Sequence, residues 1–588
     1  MPPSITNLAE EWLRLDEDRE TRDEIYKLLL GNKHDELESR LRNRIAFGTA
    51  GLRARMEAGF SRMNSLTVIQ ASQGLAAYIL QTIPEAQKLG IVLGRDARHK
   101  SEQFARLTAA AFVAKGIKVW WFEKPAPTPL VPFAVGELHA AAGIVITASH
   151  NPAADNGYKV YWQNGCQIIP PHDTGIAKSI EENLEPITWD TSVIDDDNLL
   201  VKGCLNLVLR KYCNAVRAAA ALPNIPSSVY PRFAYTPMHG VGLQFMEEIM
   251  DALDLRFNMV RVVDQSYPDG DFPTVPFPNP EEKGALDLAI KTADVTKVHF
   301  ILATDPDADR LAVAEKVDGK WHQFTGNELG ILLAAHVHET YEGTKESEKQ
   351  AMLASTVSSQ MLSAYSHAEG IHFQETLTGF KWLGNKAIEL QEQGYHVLFA
   401  FEEAIGYMVP KVVKDKDGLS AAAVFLSAVA RWQMNDAETP YHKLQKLFKK
   451  YGHFEDANTY LISPSPETTN TVFSEIRALG SPHPSHLGKH KIARWRDLTA
   501  GYDSATKDHV PDLPVSKDSQ MITCDLEPHF LEAQVRFTVR GSGTEPKIKL
   551  YIEGKAGSAE KAKRAAEKVL EDLLTEWFKP ATYGLKLA

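Results

Sequence analysis

The stretch Ala141-Ala142-Gly143-Ile144-Val145-Ile146-Thr147-Ala148-Ser149-His150-Asn151-Pro152 decides how the chain is read. Its first half is short and apolar, the pattern of a buried strand. Its second half is polar and ends in Asn-Pro, the composition of a turn. Asn156 to Trp162, then Asn164-Gly165, then Cys166 to Ile169 follow. That order predicts a β-hairpin, because Asn-Gly supplies the positive φ angles of a tight turn. Ser149 therefore lies on a loop at the end of a buried strand, with His150 beside it and Lys159 ten positions on. Such a place suits a serine that accepts and donates a phosphoryl group. It also suits a serine that only caps a turn.

Working outward, the segment up to Ile45 is charged and helical in pattern. Leu8, Trp12 and Leu15 share one face, as do Leu37, Leu41 and Ile45, so helices packed on the outside of a first domain are expected. Ser65 opens a helix with Ala71, Leu75 and Tyr78 on one stripe. Strand Ile91 to Gly94, helix Ser101 to Lys115 and strand Lys118 to Phe122 give the alternation of an α/β domain. Polar Asp190 to Asn198 marks a boundary near residue 200. In a second region Tyr235 to Gly242 leads from strand to helix, and Tyr267 to Pro280 is a long irregular loop of the kind that is often functional. Strand Val298 to Ala303 delivers Asp305-Pro306-Asp307-Ala308-Asp309-Arg310 at its carboxyl end, where open α/β sheets bind ligands. In a third, Thr325-Gly326-Asn327-Glu328 opens an apolar helix, and strand Val397 to Phe401 delivers Glu402 and Glu403. In the last, Pro464 to Pro484 reads as loop, Arg536 to Val539 and Lys547 to Ile552 as strands, and Ser558 to Phe578 as one amphipathic helix. The expected fold is α/β, with mixed α/β sheet domains at 1–200, 201–323 and 324–460, helices on both faces, and a smaller α+β domain at 461–588.

The chain has 588 residues, 44% of them apolar and 24% charged, which is ordinary for a globular protein of several domains. Its formal net charge of −12 argues against a nucleic-acid partner but not against a small anionic substrate met by a local basic cluster. Cys166, Cys204, Cys213 and Cys524 form no metal-like spacing and no disulfide framework, and read as reduced cytosolic thiols. No leader-like apolar segment opens the sequence and no apolar run is long enough for a bilayer, so no membrane partner and a cytoplasmic location are expected.

Three sets of residues carry chemistry. Asp305, Asp307 and Asp309 repel one another unless a cation holds them, and hard oxygen ligands suit Mg²⁺. An EF-hand is excluded, because Arg310 stands at the sixth position and Lys316 at the twelfth. An aspartate-nucleophile phosphatase would leave the Ser149 loop unexplained; a solvated acidic loop is the plain alternative. Gly48 to Arg53 is a glycine-containing loop whose backbone and Arg53 could meet one anion, or be an ordinary turn. Arg540-Gly541-Ser542-Gly543-Thr544-Glu545 could cradle a phosphate, or be a hairpin turn.

The four motifs Thr147 to Pro152, Asp305 to Arg310, Phe401-Glu402-Glu403-Ala404-Ile405-Gly406 and Arg540 to Pro546 resemble, in order, those of the α-D-phosphohexomutase superfamily of phosphoglucomutases and phosphomannomutases. The resemblance runs from about Phe47 to about Trp577, and Gly48 to Arg53 with Gly379-Phe380-Lys381-Trp382 look most like the phosphopentomutase branch. It implies a phosphate carried on Ser149, and Mg²⁺ held by Asp305, Asp307, Asp309 and a phosphate oxygen on Ser149. It implies Arg53, Lys159 and Arg310 around the reacting phosphoryl group, with His150 or Lys159 moving the proton. Lys381, Glu402 and Glu403 would meet the sugar. Arg540, Ser542, Gly543, Thr544 and Lys549 would meet the phosphate that does not react, in a last domain that closes over the substrate. The implied activity interconverts ribose or deoxyribose 1- and 5-phosphate, with glucose phosphates alongside and a sugar bisphosphate as activator. Ala404 stands where phosphoglucomutases carry a serine, which leaves hexose preference open. A sugar bisphosphate synthase and a non-catalytic sugar-phosphate sensor are the rival readings, and the oligomeric state is not legible.

Overall fold

The structure, a computed structural model, describes residues 3–48, 51–195, 198–343, 349–517, 519–528, 532–541 and 547–587. The chain divides into two compact units, Met1–Gln350 with Gly379–Pro440, and Ala351–Thr378 with Tyr441–Ala588.

The first unit opens on helices Ile5–Leu15, Arg19–Leu30 and His34–Leu41, the first two capped by the side chains of Ser4 and Asp18. Trp12, Leu15, Ile25, Leu37 and Leu41 are buried in one cluster with Phe60 and Leu66. Ile45 is not on the third helix, which ends at Leu41; its N–H donates instead to the Phe60 carbonyl at 2.7 Å. A six-stranded sheet follows, in the order Leu52–Arg55, Asp155–Trp162, Ala142–Ile146, Ile91–Arg95, Val119–Trp121, Val201–Gly203. The last four run parallel, the first two antiparallel. Ala142–Ile146 is buried at every position, as its apolar run requires. The hairpin expected after it forms, with a second arm that pairs as far as Ile168. Trp162 donates to Cys166 O at 2.8 Å, Tyr161 bridges Gln167 and Ile168 donates to Val160 O at 3.3 Å, and pairing ends at Ile168. Pro170 and Pro171 have no N–H to continue a ladder.

The next sheet has five strands, in the order Lys320–Gln323, Leu311–Val317, Phe300–Thr304, Phe233–Thr236, Met259–Arg261. Fully buried Phe300–Thr304 delivers the aspartates. Farther on, helix Gly326–Glu339 is opened by a reciprocal cap between Thr325 and Glu328. Strand Tyr395–Glu402 turns back into Gly406–Met408.

In the second unit, Ala351 to Ser355 pair in parallel with His372–Thr376. An antiparallel sheet runs His486–Leu487, His490–Asp497, Met521–Leu526, Gln534–Gly541, Lys547–Ala556, Thr459–Ile462, Lys586–Leu587, and His453–Asp456 also pairs with Lys547–Ala556. Trp495, Phe537, Ile552, Val569 and Trp577 lie in its core. Two expectations need correction. Pro464 to Pro484 is not all loop: it holds helix Pro466–Ala478, capped by Ser465 with Pro466 in the first turn and burying Val472, Phe473 and Ile476. Ser558 to Phe578 is not one regular helix, because α-helix Ala559–Asp572 widens into a π-helix at Leu573–Phe578. The architecture is otherwise the α/β class expected, with an α+β C-terminal portion. The cysteines are free and buried, and among the described residues no helix is long and apolar enough to cross a membrane.

One close approach seats the start of helix Gly326–Glu339 against the Glu402 strand end: a Cβ on Gly326 would lie 1.7 Å from the Glu403 carbonyl oxygen. Gly326→Ala is expected to lower stability by about 1–3 kcal/mol through overpacking, read as a lower thermal midpoint.

Candidate active site

Three strand ends of the first unit carry the site: Ala142–Ile146 before Ser149, Phe300–Thr304 before Asp305, and Tyr395–Glu402. Each loop that follows holds one non-glycine residue in the left-handed region, Ser149 at φ 55°, Ala308 at 55° and Ile405 at 48°. That conformation costs roughly 1–2 kcal/mol per residue and is rarest for a β-branched side chain such as Ile405. Surrounding bonds must hold it. Ile405 O accepts from Leu311 N at 3.1 Å, and Ala404 O accepts from Arg310 Nε at 3.2 Å.

Ser149 is buried, and its Oγ donates to Asp305 Oδ2 at 3.1 Å and accepts from Arg310 Nη1 at 2.7 Å. Its N–H donates to Thr147 Oγ1 at 2.9 Å. His150 Nδ1 lies 3.4 Å from the same Oγ and is also bonded to Arg310. Burial, then the Arg310 and Arg53 charges, pushes the His150 imidazole well below its usual range. His150 is therefore neutral at physiological pH and its Nδ1 accepts from Arg310. Arg53 donates to Asn151 Oδ1 at 3.3 Å.

Asp305, Asp307 and Asp309 are fully buried, with one carboxylate oxygen of each within 4.8 Å of the others. Lys159 Nζ sits 2.8 Å from Asp307 Oδ2 and 3.0 Å from Asp309 Oδ2, and Lys416 Nζ is 2.8 Å from Asp309 Oδ2. Thr128 Oγ1 donates to Asp307 Oδ2 at 2.6 Å. Burial and its two like-charged neighbours push Asp305 well above the carboxylate range. Burial acts the same way on Asp309, but Lys159, Lys416 and Arg310 outweigh it and hold that group low. Asp307 Oδ1 and Asp309 Oδ1 are buried with no hydrogen-bond partner. Hard anionic oxygens left unsatisfied in a cluster that already holds two ammoniums fit a metal ion, and the triplet could hold one.

Glu402 Oε1 accepts from Gly379 N at 2.5 Å, which sets Glu402 beside the helix Phe380–Glu392 that carries Lys381. Lys381 Nζ lies 5.7 Å from the Trp382 ring, and Glu403 follows Glu402 in the loop. The second unit holds the remaining expected residues. Arg540 and Lys549 are cross-strand partners, and Arg540 Nη1 donates to Thr378 Oγ1 at 3.1 Å. Ser542, Gly543 and Thr544 lie outside the described residues. The first unit thus brings together Ser149, His150, Arg53, Lys159, the aspartates and Arg310, with Glu402 on the adjoining strand end.

Sequence reasoning missed Arg98, Thr128 and Lys416. The signal for Arg98 was Gly94-Arg95-Asp96-Ala97-Arg98, another charged cluster at a strand's carboxyl end. For Lys416 it was the charged run Lys414-Asp415-Lys416-Asp417 just before helix Gly418–Asp436.

The families described as phosphoglucomutase/phosphomannomutase alpha/beta/alpha domains I, II and III match residues 44–186, 210–319 and 325–451, and the corresponding C-terminal domain matches 524–572. The chain belongs to the phosphoglucomutase/phosphomannomutase family. It is 46% identical over 590 residues to a probable phosphoribomutase of Schizosaccharomyces pombe, with 100% of each chain covered. It is 43% identical to a human phosphopentomutase, covering 98% of this chain and 96% of that one. It is 39% identical to a human glucose 1,6-bisphosphate synthase, covering 99% and 96%. These similarities put it in the phosphopentomutase branch, among the phosphosugar mutases.

Burial and the neighbouring Glu403 raise the Glu402 carboxyl to about 7. An unfolded glutamate ionises near 4.5. Between those values the folded state keeps a proton that the unfolded state has lost. Stability therefore falls as pH rises through this window and levels off above it. Glu402→Gln should make the thermal midpoint less sensitive to pH between about 4.5 and 7 than in the wild type. An unchanged pH profile in the variant would remove Glu402 as the source.

Proposed function

We propose that the chain interconverts ribose or deoxyribose 1-phosphate and 5-phosphate, and glucose 1- and 6-phosphate less efficiently, through a phosphate carried on Ser149. The observation that carries this reading is the buried Ser149 hydroxyl, held between Asp305 and Arg310 beside carboxylates with unsatisfied oxygens. Four regions, 1–200, 201–323, 324–460 and 461–588, would supply the phosphoserine loop, the metal loop, the sugar contacts and the distal phosphate contacts. Cytoplasmic location is part of the same proposal.

Asp305, Asp307 and Asp309, with a phosphate oxygen on Ser149, would hold Mg²⁺. When bound, Mg²⁺ neutralises charge on the transferring phosphoryl group. Arg310 and Arg53 orient that group. The bond from phosphorus to Ser149 Oγ breaks as the substrate's free hydroxyl oxygen bonds to phosphorus. His150 or Lys159 relays the proton from that hydroxyl to Ser149 Oγ, and in the second transfer the Ser149 proton passes by the same group to the sugar oxygen that leaves phosphorus. The bisphosphate turns over, gives its other phosphate to Ser149, and leaves as the isomeric monophosphate. Added sugar bisphosphate would act as activator by phosphorylating Ser149. Lys381, Glu402 and Glu403 would meet the sugar, and Arg540 and Lys549, with Ser542, Gly543 and Thr544, the phosphate that does not react. The 39% identity to a glucose 1,6-bisphosphate synthase favours one second reading, in which the bisphosphate is released as product. Product analysis separates the two.

Ser149→Ala is expected to abolish turnover while the protein stays folded, and intact mass should find the wild type partly phosphorylated at Ser149. Activity near the wild-type level in the variant would overturn the carrier role.

Ala404 lacks the hydroxyl that would meet a hexose ring. A neutral hydrogen bond contributes about 0.5–1.5 kcal/mol, up to roughly ten-fold in specificity. Wild-type kcat/KM should favour ribose phosphate over glucose phosphate, and Ala404→Ser should move that ratio toward glucose by no more than about ten-fold. A wild type that strongly prefers glucose phosphate would contradict the pentose reading.

A further inference from the structure

Arg98 is a cation for which phosphoryl transfer itself has no use. Its side chain is 0% exposed. Nη2 donates to the carbonyls of Ser149 at 2.5 Å and Asn151 at 2.6 Å, and Nη1 to those of Pro152 at 2.8 Å and Asp155 at 3.3 Å. Asp96 Oδ2 lies 3.1 Å from Nε, and Asp96 Oδ1 accepts from Ser101 Oγ at 2.7 Å and from Arg98 N at 3.0 Å. The Phe272 ring lies 4.9 Å from the guanidinium carbon. Phe272 is buried, is itself left-handed at φ 47°, and belongs to the long loop between Tyr267 and Pro280. His99, the next residue, meets Asp271 of that loop at 2.7 Å. One buried fork therefore gathers the carbonyls of the loop on which Ser149 is held left-handed, and an aromatic ring covers the fork.

We propose that Arg98 is a positioning residue. Covered by Phe272, it fixes the Ser149 loop so that Oγ faces Asp305 and Arg310, and so governs the transfer step rather than sugar binding. This rests on Ser149 as the phosphate carrier. A lysine could not replace it, because a point charge cannot serve carbonyls that lie around a planar fork. The long loop thereby acquires a task, keeping water from a guanidinium whose hydrogen bonds it would contest.

The test uses the full chain as Arg98→Ala, Arg98→Lys, Phe272→Leu and Ser149→Ala, with kcat and KM measured separately and guanidinium chloride added at low millimolar concentration. Arg98→Ala and Arg98→Lys should each lower kcat about a hundred-fold, the scale of a nucleophile misplaced by about 1 Å. KM should stay within about two-fold, as for an interaction felt only in the transfer step. Added guanidinium should restore part of kcat to Arg98→Ala and none to Ser149→Ala. Phe272→Leu, which keeps the burial but removes the aromatic face, should lower kcat less and in the same direction; it decides the matter if the Arg98 variants do not fold. Near wild-type kcat in folded Arg98→Ala, a loss confined to KM, or an unaffected Phe272→Leu when the Arg98 variants do not fold would overturn the proposal. If Ser149→Ala keeps its activity, the carrier reading falls as well. If Ser149→Ala is inactive while the Arg98 and Phe272 variants are normal, only the positioning role falls.

Discussion

Burying Asp305, Asp307 and Asp309 side by side is the constraint on which the site depends. Carboxylates at 0% exposure and within 4.8 Å of one another cannot persist without cations. Lys159 comes from the strand Asp155–Trp162, Lys416 from just before the helix Gly418–Asp436, and Arg310 from the aspartate loop itself. Charge compensation therefore ties together elements far apart in sequence. Removing one partner of such a buried pair typically costs about 3–5 kcal/mol, because the other charge is left unpaired.

Backbone conformation is adjusted to serve that cluster. Arg310 spends its guanidinium on Ser149 Oγ, His150, Asp305 and the Ala404 carbonyl, so one side chain links all of the strand-end loops. Close approach elsewhere is bought with glycine: a Cβ on Gly240 would lie 2.3 Å from Pro306 Cα, and one on Gly418 2.3 Å from Arg310 O. With its partners fixed in advance, the hydroxyl of Ser149 would need little reorganisation in the proposed carrier role, which is where such a site would gain rate.

Much of this was legible because apolar strand and polar strand-end loop contrast sharply in sequence. Ser149, the aspartates and Glu402 each follow a short apolar run, and the change from apolar run to polar loop placed them at carboxyl ends. Arg98 and Lys416 were not legible, because a charged residue in a polar loop looks solvated until the fold buries it. The helix Pro466–Ala478 was hidden by its Pro, Ser and Thr content, although Ser465-Pro466 and the spacing of Val472, Phe473 and Ile476 were there to be read. The hairpin arm after Gly165 was read as far as Ile169 where pairing ends at Ile168, since Asn-Gly announces a turn but not the length of the ladder beyond it. That residues 351–378 belong with 441–588 depends on long-range pairing, which no local pattern records.

The most direct test of the account is divalent-cation binding. Mn²⁺ titrated into the full chain, followed by electron paramagnetic resonance, should show a single strong site in the wild type, and Asp307→Asn should abolish it while the protein stays folded. The carboxylate oxygens that lack a partner are the reason to expect the ion there. A wild type that binds no divalent cation, or a folded Asp307→Asn that binds it equally well, would contradict the claim that the buried triplet is built around a metal.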